Sequence, residues 1–193
     1  MPDVDAAFYF DLASPECYLV AERILHAVPG PAPWIPVLAR DLPEGEGTPG
    51  FRCAHEVEAY RDELARRAVA LGLQPLRLPP GFPFDSVVAQ RAATYALQIG
   101  RTVPFALAAF RQAYAGGHDL SNPDAVLVAA AACEMHPRAV LAATERTAVG
   151  DQLCAATAAA AAAGVTTVPA VRLGADVFAG PGALERAASM ATR

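Results

Sequence analysis

The 193-residue sequence contains no lysine, since all 15 of its basic residues are arginine. A Schiff-base lysine and the lysine of a phosphate-binding loop are therefore excluded, because both chemistries require that amine. Aromatic residues are also few, at 7%, and there are only four cysteines. These cysteines form no close pair in the sequence, which is the pattern expected of a protein in a reducing cytoplasm.

Long apolar runs are missing too, although hydrophobic residues make up 54% of the chain. The longest, 125–133 and 155–164, are alanine-rich and fall short of the roughly 20 residues that a membrane-spanning helix needs. The acidic start of the chain shows neither the basic nor the apolar region of a secretory signal. A net charge of −5 and a pI of about 5.3 disfavour binding to nucleic acid. We therefore expect a cytoplasmic protein that contacts neither membranes nor nucleic acid.

The most informative stretch lies near the start, where a short aromatic run, 7–12, is followed by Ser14-Pro15-Glu16-Cys17. The run favours a strand, and the amphipathic residues after Cys17 favour a helix. Ser14 is then the N-cap, and Pro15 is the first helical residue. A helix N-terminus has unpaired N–H groups and about half a positive charge, so it stabilises an anion. Because Ser-Pro-Glu is also an ordinary helix start, the motif permits a structural or a catalytic interpretation.

The remaining pattern predicts an α/β protein with a large all-helical middle. A second short strand, 33–38, follows the first helix and should pair with the first strand in parallel. The apolar spacing then predicts six helices. Their ranges are 52–71, 86–99, 104–114, 123–133, 137–147 and 150–163. Two strands within 165–179, joined by a type II′ turn at Gly174-Ala175, and a last helix over 183–191 complete the chain.

The order of these motifs resembles the DsbA-like branch of the thioredoxin superfamily. Within this branch the sequence is most similar to 2-hydroxychromene-2-carboxylate isomerases and kappa-class glutathione transferases. The matching stretches are FYFDLASPECYLVAERI, YRDELARRAVALGL, LPPGFPFDSVVAQRA and GVTTVPAVRLGADVFAGPGALE. The resemblance implies a thioredoxin-like domain of residues 1–50 and 150–193, interrupted by a helical domain of residues 51–149. It also implies that glutathione binds in the cleft between the two.

The resemblance gives Ser14 the catalytic role, because the matching serine hydrogen-bonds the glutathione sulfur and favours its thiolate. A free thiol has a pKa near 8.5, and helix N-termini lower that value. The Val168-Pro169 peptide bond is expected to be cis, so that the backbone of Val168 can pair with glutathione, which is a peptide. Gly180-Pro181-Gly182 and Thr48 match further positions that bind glutathione in the family.

Several of these positions depart from the family pattern. Gly182 stands where the family has an aspartate that binds the amino group of the ligand, so this group would meet only backbone and water. Thr48 is the nearest match to a glutathione-binding asparagine. Asp85 stands where isomerases tend to have asparagine, and it is a candidate substrate contact together with Arg91. Cys17 is a third candidate, although a packed structural thiol is the alternative interpretation.

The expected activity is that of a glutathione-dependent isomerase acting on a conjugated or aromatic acid. A homodimer is expected, because family members are commonly dimers. Two alternatives stay open. One is a kappa-like glutathione transferase, and the other is a thiol-redox or small-acid-binding protein that no longer uses glutathione. The two enzymes differ in that an isomerase needs glutathione only in catalytic amount, whereas a transferase consumes it one for one.

Two further groups of side chains have structural interpretations. Neither the Cys133/His136 pair nor the Cys53/His55 pair has a second pair at finger-like spacing, so no metal site is predicted. Three arginines of the helix predicted at 52–71 are expected to lie on its solvated face. They are Arg61, Arg66 and Arg67.

Overall fold

In the computed structural model, which describes residues 6–28, 32–45 and 53–191, short strands lie near both ends of the chain and helices fill its middle. The four strands are β1 (Ala6–Phe10), β2 (Trp34–Pro36), β3 (Ala170–Leu173) and β4 (Asp176–Ala179). The helices are α1 (Pro15–Ala27), α2 (Ala54–Ala70), α3 (Val87–Gln98), α4 (Thr102–Tyr114), α5 (Pro123–Ala131), α6 (Pro137–Glu145), α7 (Thr147–Ala162) and α8 (Ala183–Ala191). A short 3-10 turn, Ala39–Asp41, follows β2.

The strands form one mixed sheet in the order β2-β1-β3-β4. β1 is parallel to β2, with Tyr9 opposite Ile35, and antiparallel to β3, with Phe8 opposite Val171. All five residues of β1 are buried, since this strand has a neighbour on each side and helices pack over the sheet. This position explains why the strand is a continuous apolar run and not an alternating one.

The predicted order of strands and helices is confirmed, and the differences lie at element ends. The two-residue turn after β3 has φ 59° at Gly174, and Ala175 is not in the left-handed region, which is the pattern of a type II′ turn. The strand predicted from 165 begins only at Ala170, because the chain bends at residues 167–169 around Pro169. The 3-10 turn at Ala39–Asp41 was not predicted.

Aromatic side chains form the part of the core that joins α1 and α4 to the sheet. Phe10 of β1 contacts Trp34 and Phe110 edge to face, with ring centroids 6.1 and 5.8 Å apart. Tyr18 of α1 contacts Tyr114 of α4 at 5.8 Å. Aromatic pairs in these arrangements contribute about 0.5–1.5 kcal/mol each beyond the area that they bury. β1 and α1 therefore both pack against aromatic residues of α4.

Two polar side chains from the helical middle anchor it to the ends of β1 and β2. The buried Nε2 of Gln90 in α3 donates to the carbonyl oxygens of Phe10 and Val37, at 2.9 and 2.6 Å. The hydroxyl of Tyr114 in α4 donates to the carbonyl oxygen of Leu12 at 3.1 Å. Both contacts fix the connection that leads into α1. The division into two domains at residues 51 and 149 stays a prediction, and none of the described helices is long and apolar enough to cross a membrane.

Candidate active site at the start of the first helix

Ser14 is the N-cap of α1, as its sequence position predicts. Its backbone is extended, with φ −95° and ψ 110°, and its hydroxyl oxygen accepts a hydrogen bond from the backbone N–H of Cys17 at 3.3 Å. Pro15 occupies the first turn, where its missing N–H costs nothing. The side chain is fully buried. The oxygen acts as an acceptor towards the helix, and the hydroxyl also makes a hydrogen bond with the thiol of Cys17.

Cys17, the other polar end of the motif, is a fully buried thiol. Burial raises its pKa far above the ordinary value of 9.0. Hydrogen bonds from Ser14 and the backbone of Asp11 oppose this shift, whereas the charges of Asp11 and Glu16 add to it. The thiol therefore stays protonated, which favours the structural interpretation of Cys17 over contact with substrate. With a serine as its first residue and a protonated, buried cysteine as its last, the motif is unsuited to disulfide exchange.

Asp11, at the end of β1, is a buried carboxyl group that sequence reasoning missed as a site residue. Its two oxygens accept hydrogen bonds from the N–H groups of Ala13 and Ala39, each at 2.9 Å. Burial raises its pKa above 3.8, although these two bonds, a hydrogen bond with Ser86 and the charge of Arg40 all oppose the shift. The usable signal was an acidic residue directly after a buried apolar strand, because aspartate is almost never buried without a partner.

The structure brings Asp85 close to this loop but directs Arg91 elsewhere. Asp85 is exposed at the start of α3, where its Oδ1 accepts from the N–H of Val87 at 2.9 Å and lies 3.4 Å from Arg40. Arg91 donates to the carbonyl oxygen of Thr144 at 2.9 Å, and its guanidinium lies against Gly150 of α7. None of the contacts described for Arg91 reaches Ser14. The substrate roles of Asp85 and Arg91 stay predictions.

Arg67 does not belong to a solvated face, so that expectation was wrong for this residue. Its guanidinium makes two hydrogen bonds to the carboxylate of Glu16, one of them 2.7 Å from Nη2 to Oε2. The Glu16 side chain is only 9% exposed and that of Arg67 33%. Arg61 and Arg66 are exposed, as expected. A contact across 51 residues of sequence leaves no signal in helical spacing.

The Val168-Pro169 peptide bond is cis, as expected, and a second cis bond precedes Pro83. Within the part of the chain that the structure describes, neither backbone group of Val168 makes a hydrogen bond, whereas the carbonyl oxygen of Pro169 accepts from the N–H of Gly180 at 2.8 Å. The backbone of Val168 is therefore able to pair with an extended ligand. Thr48, the other proposed glutathione contact, lies outside the described residues.

The two glycines before α8 have an unusual backbone conformation, and charged side chains lie beside Gly182. Gly180 and Gly182 have φ values of 79° and 74°, which side-chain-bearing residues rarely adopt. A Cβ on Gly182 would lie 3.1 Å from Nη1 of Arg186 and 4.0 Å from Oε2 of Glu185. The expectation that this position meets only backbone and water is therefore corrected, since a guanidinium and a carboxylate both lie beside it. An aspartate at this position would be strained by the positive φ.

Both charged residues line a groove of about 480 Å³ between α8 and β4. Arg186 donates to the carbonyl oxygens of Pro181 and Ala179 at 2.9 and 2.6 Å, whereas Glu185 forms an ion pair with Arg23 of α1 at 2.7 Å. Burial by itself would raise the pKa of Glu185, but the hydrogen bond and charge of Arg23, together with the charge of Arg67, hold it below 4.5. Arg67, which binds Glu16 in the first turn of α1, thus also acts on Glu185 near the start of α8.

A comparison with known protein families agrees with this arrangement. The sequence profile of the DsbA-like thioredoxin domain matches residues 6–189. The chain belongs to this family. Among curated protein sequences, none gives a significant match.

Solved structures share the fold of this DsbA-like chain over nearly its whole length. A 2-hydroxychromene-2-carboxylate isomerase superposes with a TM-score of 0.82 at 20% identity, over 97% of this chain and 94% of the isomerase. A protein described as a probable DsbA oxidoreductase from Streptomyces coelicolor gives 0.77 at 20% identity, over 98% and 88%. DsbA from Pseudomonas aeruginosa gives 0.59 at 14% identity, over 100% and 82%. At these identities the likeness establishes the fold alone.

Proposed function

We propose that the protein is a glutathione-dependent isomerase of the 2-hydroxychromene-2-carboxylate type, acting on a conjugated aromatic acid. The observation that carries the proposal is the position of Ser14, the buried N-cap of α1, three residues before the buried free thiol of Cys17. A hydroxyl at the positive end of a helix is suited to hold the thiolate of another molecule. The fold is shared with an isomerase and with DsbA oxidoreductases alike, so the serine at the first position of the motif is what favours this choice over disulfide exchange.

Ser14 and the first turn of α1 would bind and activate the ligand thiol together. The hydroxyl of Ser14 accepts from the N–H of Cys17 and hydrogen-bonds the Cys17 thiol, so a ligand sulfur would take the place of that thiol as the acceptor of the hydroxyl hydrogen. That hydrogen bond and the helix N-terminus both favour the charged form of the thiol and increase its thiolate fraction at neutral pH. Because Ser14 is fully buried, the thiol must first displace the atoms that cover it.

The other contacts fit a peptide with a zwitterionic end. The backbone N–H and C=O of Val168 are available for strand-like pairing with an extended chain. In the groove of α8, Glu185 offers a carboxylate and Arg186 a guanidinium, and these charges suit the ammonium and carboxylate of a γ-glutamyl group. We therefore propose that Glu185 takes over the amino-group contact that Gly182 cannot make.

An aromatic surface beside the first turn of α1 favours an aromatic substrate. Tyr60 of α2 stacks on Phe82 with ring centroids 6.3 Å apart and an interplanar angle of 17°. Both rings are partly exposed, and the charges of Glu16 and Arg67 act on Tyr60.

When bound, glutathione would supply a thiolate that adds reversibly to a conjugated double bond of the substrate. This addition permits rotation about that bond without net oxidation.

The test combines glutathione binding with turnover of 2-hydroxychromene-2-carboxylate. We expect calorimetric titration to detect glutathione binding, and we expect many substrate molecules to isomerise per glutathione. Consumption of glutathione one for one with an electrophile would instead establish the transferase alternative. Absence of both binding and turnover at millimolar glutathione would contradict the proposal.

Arg186 favours a second candidate, a protein that binds small acids without glutathione. Its described hydrogen bonds go to neutral carbonyl oxygens, so its positive charge is not cancelled by them. A carboxylate ligand in the groove would compensate that charge. Titration with an aromatic carboxylic acid in the absence of glutathione tests this candidate. Arg186→Met should abolish the binding, whereas Arg138→Met, at an exposed position of α6, should leave it unchanged.

A further inference from the structure

The ion pair between Glu16 and Arg67 joins the first turn of α1 to the helical middle of the chain. Arg67 binds both oxygens of the carboxylate, and Glu16 is largely buried. A second pair on α2, Glu63 with Arg66, has the same chemistry but is exposed, at 51% and 73%. α2 therefore provides a matched pair of arginines, one at the candidate site and one in solvent.

The carboxylate of Glu16 is poorly placed for a site that must hold an anion. It lies two residues after Ser14, in the same helical turn, and its charge disfavours a second negative charge there. The effect is visible at Cys17, whose pKa is raised first by burial and additionally by the charges of Asp11 and Glu16. A bound thiolate would experience the same repulsion. An adjacent cation is needed to offset it.

We propose that Arg67 is a positioning residue that holds Glu16 through two hydrogen bonds and cancels its charge, so that the positive end of α1 remains available to a thiolate at Ser14. The role in catalysis rests on the proposed function. The charge balance itself belongs to the chain and exists without any ligand. Arg67 thereby couples α2, in the helical middle, to the start of α1.

The groups around this pair come from several elements, and none of them replaces Arg67. Glu63 and Tyr60 of α2 and Glu185 of α8 are the other titratable groups with which Arg67 interacts. Two of these three are acids and the third is a phenol, so they cannot neutralise Glu16. At the thiol position, Ser14 contacts the titratable group Cys17, and the groups that act on Cys17 are Asp11, Glu16, Tyr60 and Tyr114.

The experiment measures the charge balance with a thiol placed at the site by Ser14→Cys in a Cys17→Ala background, without glutathione, because a cysteine at position 14 could otherwise form a disulfide with Cys17. Thiolate absorbance is followed against pH, and the titration of the Cys17→Ala chain is subtracted because Cys53 and Cys154 are exposed. In this background, Arg67→Met should raise the pKa of the introduced thiol by about one unit. Arg66→Met should shift it by less than about 0.3 unit, because that pair is exposed and screened.

Three further variants exclude a merely structural effect. Arg67→Lys should keep the pKa close to that of the Ser14→Cys protein, because the cation is retained. Glu16→Gln should lower it, since Arg67 is then an uncompensated cation. Combining Glu16→Gln with Arg67→Met should remove most of the increase caused by Arg67→Met. The Glu16→Gln variant leaves no unpaired buried anion, so it provides a test even where Arg67→Met does not fold.

An unchanged thiol pKa in Glu16→Gln, or equal shifts in Arg67→Met and Arg66→Met, would overturn the inference. The result is independent of glutathione. A pKa that responds to Arg67 in a protein that binds no glutathione would contradict the proposed function and leave the charge balance intact. Glutathione-dependent turnover, together with a thiol pKa that does not change in Arg67→Met, would support the proposed function and contradict the charge balance.

Discussion

Two helices of this protein begin with the same local pattern, α1 at Ser14-Pro15-Glu16 and α5 at Asn122-Pro123-Asp124. In each, a polar side chain caps the helix, proline follows, and an acid lies in the first turn. Ser14 accepts from the N–H of Cys17 at 3.3 Å, and Asn122 accepts from the N–H of Asp124 at 3.0 Å. Judged by its local sequence alone, either helix qualifies as a binding site for an anion.

The surroundings of the two starts differ completely. Ser14 is fully buried and Glu16 is paired with Arg67, whereas Asn122, Pro123 and Asp124 are all exposed. A charge acts far more strongly in a buried site than in water, because the effective dielectric constant is lower. A capping motif therefore becomes chemically useful only when other elements bury it and when its acidic residue is paired with a cation.

The largest contrast is expected in activity. Ser14→Ala should slow turnover at least ~10-fold, because it removes the hydroxyl that would hold the thiolate. Asn122→Ala removes a comparable cap from α5 and should leave turnover unchanged. Steady-state rates with 2-hydroxychromene-2-carboxylate and catalytic glutathione measure both. Equal rates in the two variants, with folding intact, would reduce Ser14 to a cap.

The features predicted correctly from the sequence are those with local causes. The cap at Ser14, the proline at Pro15 and the turn at Gly174 each follow from the conformational preference of one or two residues. The cis bond at Pro169 followed from the family resemblance, since X-Pro bonds are trans in most proteins. The order of motifs along the chain was a stronger guide than any one of them.

What could not be predicted depends on contacts between residues distant in sequence. The Glu16–Arg67 pair spans 51 residues, and the ion pair between Arg23 and Glu185 spans 162. Asp11 is a site residue because the 3-10 turn and the start of α3 close over it. Periodicity and capping rules describe one helix or strand at a time, so they contain no information on these long-range contacts.

The next effect concerns the contribution of the Glu16–Arg67 ion pair to the stability of the protein. Arg67→Met should lower the free energy of unfolding by about 2 kcal/mol, because it leaves the carboxylate of Glu16 largely buried and unpaired. The value is set below that of a fully buried pair, because Arg67 is one-third exposed and solvent screens it. Asp124→Asn at the exposed start of α5 should cost less than about 1 kcal/mol. Chemical denaturation measures both, and equal losses would contradict the role of burial.

A pH dependence is expected at the α1 start from Asp11. Because burial raises its pKa above 3.8, the folded chain binds this proton more tightly than the unfolded chain. Below pH about 3.8 the protonated carboxyl group of Asp11 makes its full contribution to the free energy of unfolding. This contribution is lost as the pH rises through the folded pKa, and the free energy of unfolding falls by no more than about 1.4 kcal/mol per pH unit. Asp11→Asn removes this term, so the stability of the parent relative to the variant should fall from acid to neutral pH.

Glu185 at the start of α8 provides a control of opposite sign. Although burial alone would raise its pKa, its contacts with Arg23 hold the pKa below 4.5. Its contribution is therefore present above pH about 4.5 and is lost as the pH falls through the folded pKa. The stability of the parent relative to Glu185→Gln should rise from acid to neutral pH. The same direction of change for Asp11→Asn and Glu185→Gln would contradict the two assignments.

The smallest contrast is expected in the caps themselves. Ser14→Ala and Asn122→Ala should each lower the free energy of unfolding by about 1 kcal/mol, because each removes one side-chain acceptor from a helix start. Burial adds little at Ser14, since the N–H of Cys17 also bonds to the backbone carbonyl of Ser14 at 3.0 Å and does not become unpaired. Near-equal losses, measured by urea denaturation, combined with an activity loss only for Ser14, would separate the local role of the cap from its chemical role. A loss several times larger at Ser14 would instead mean that part of its effect on turnover is structural.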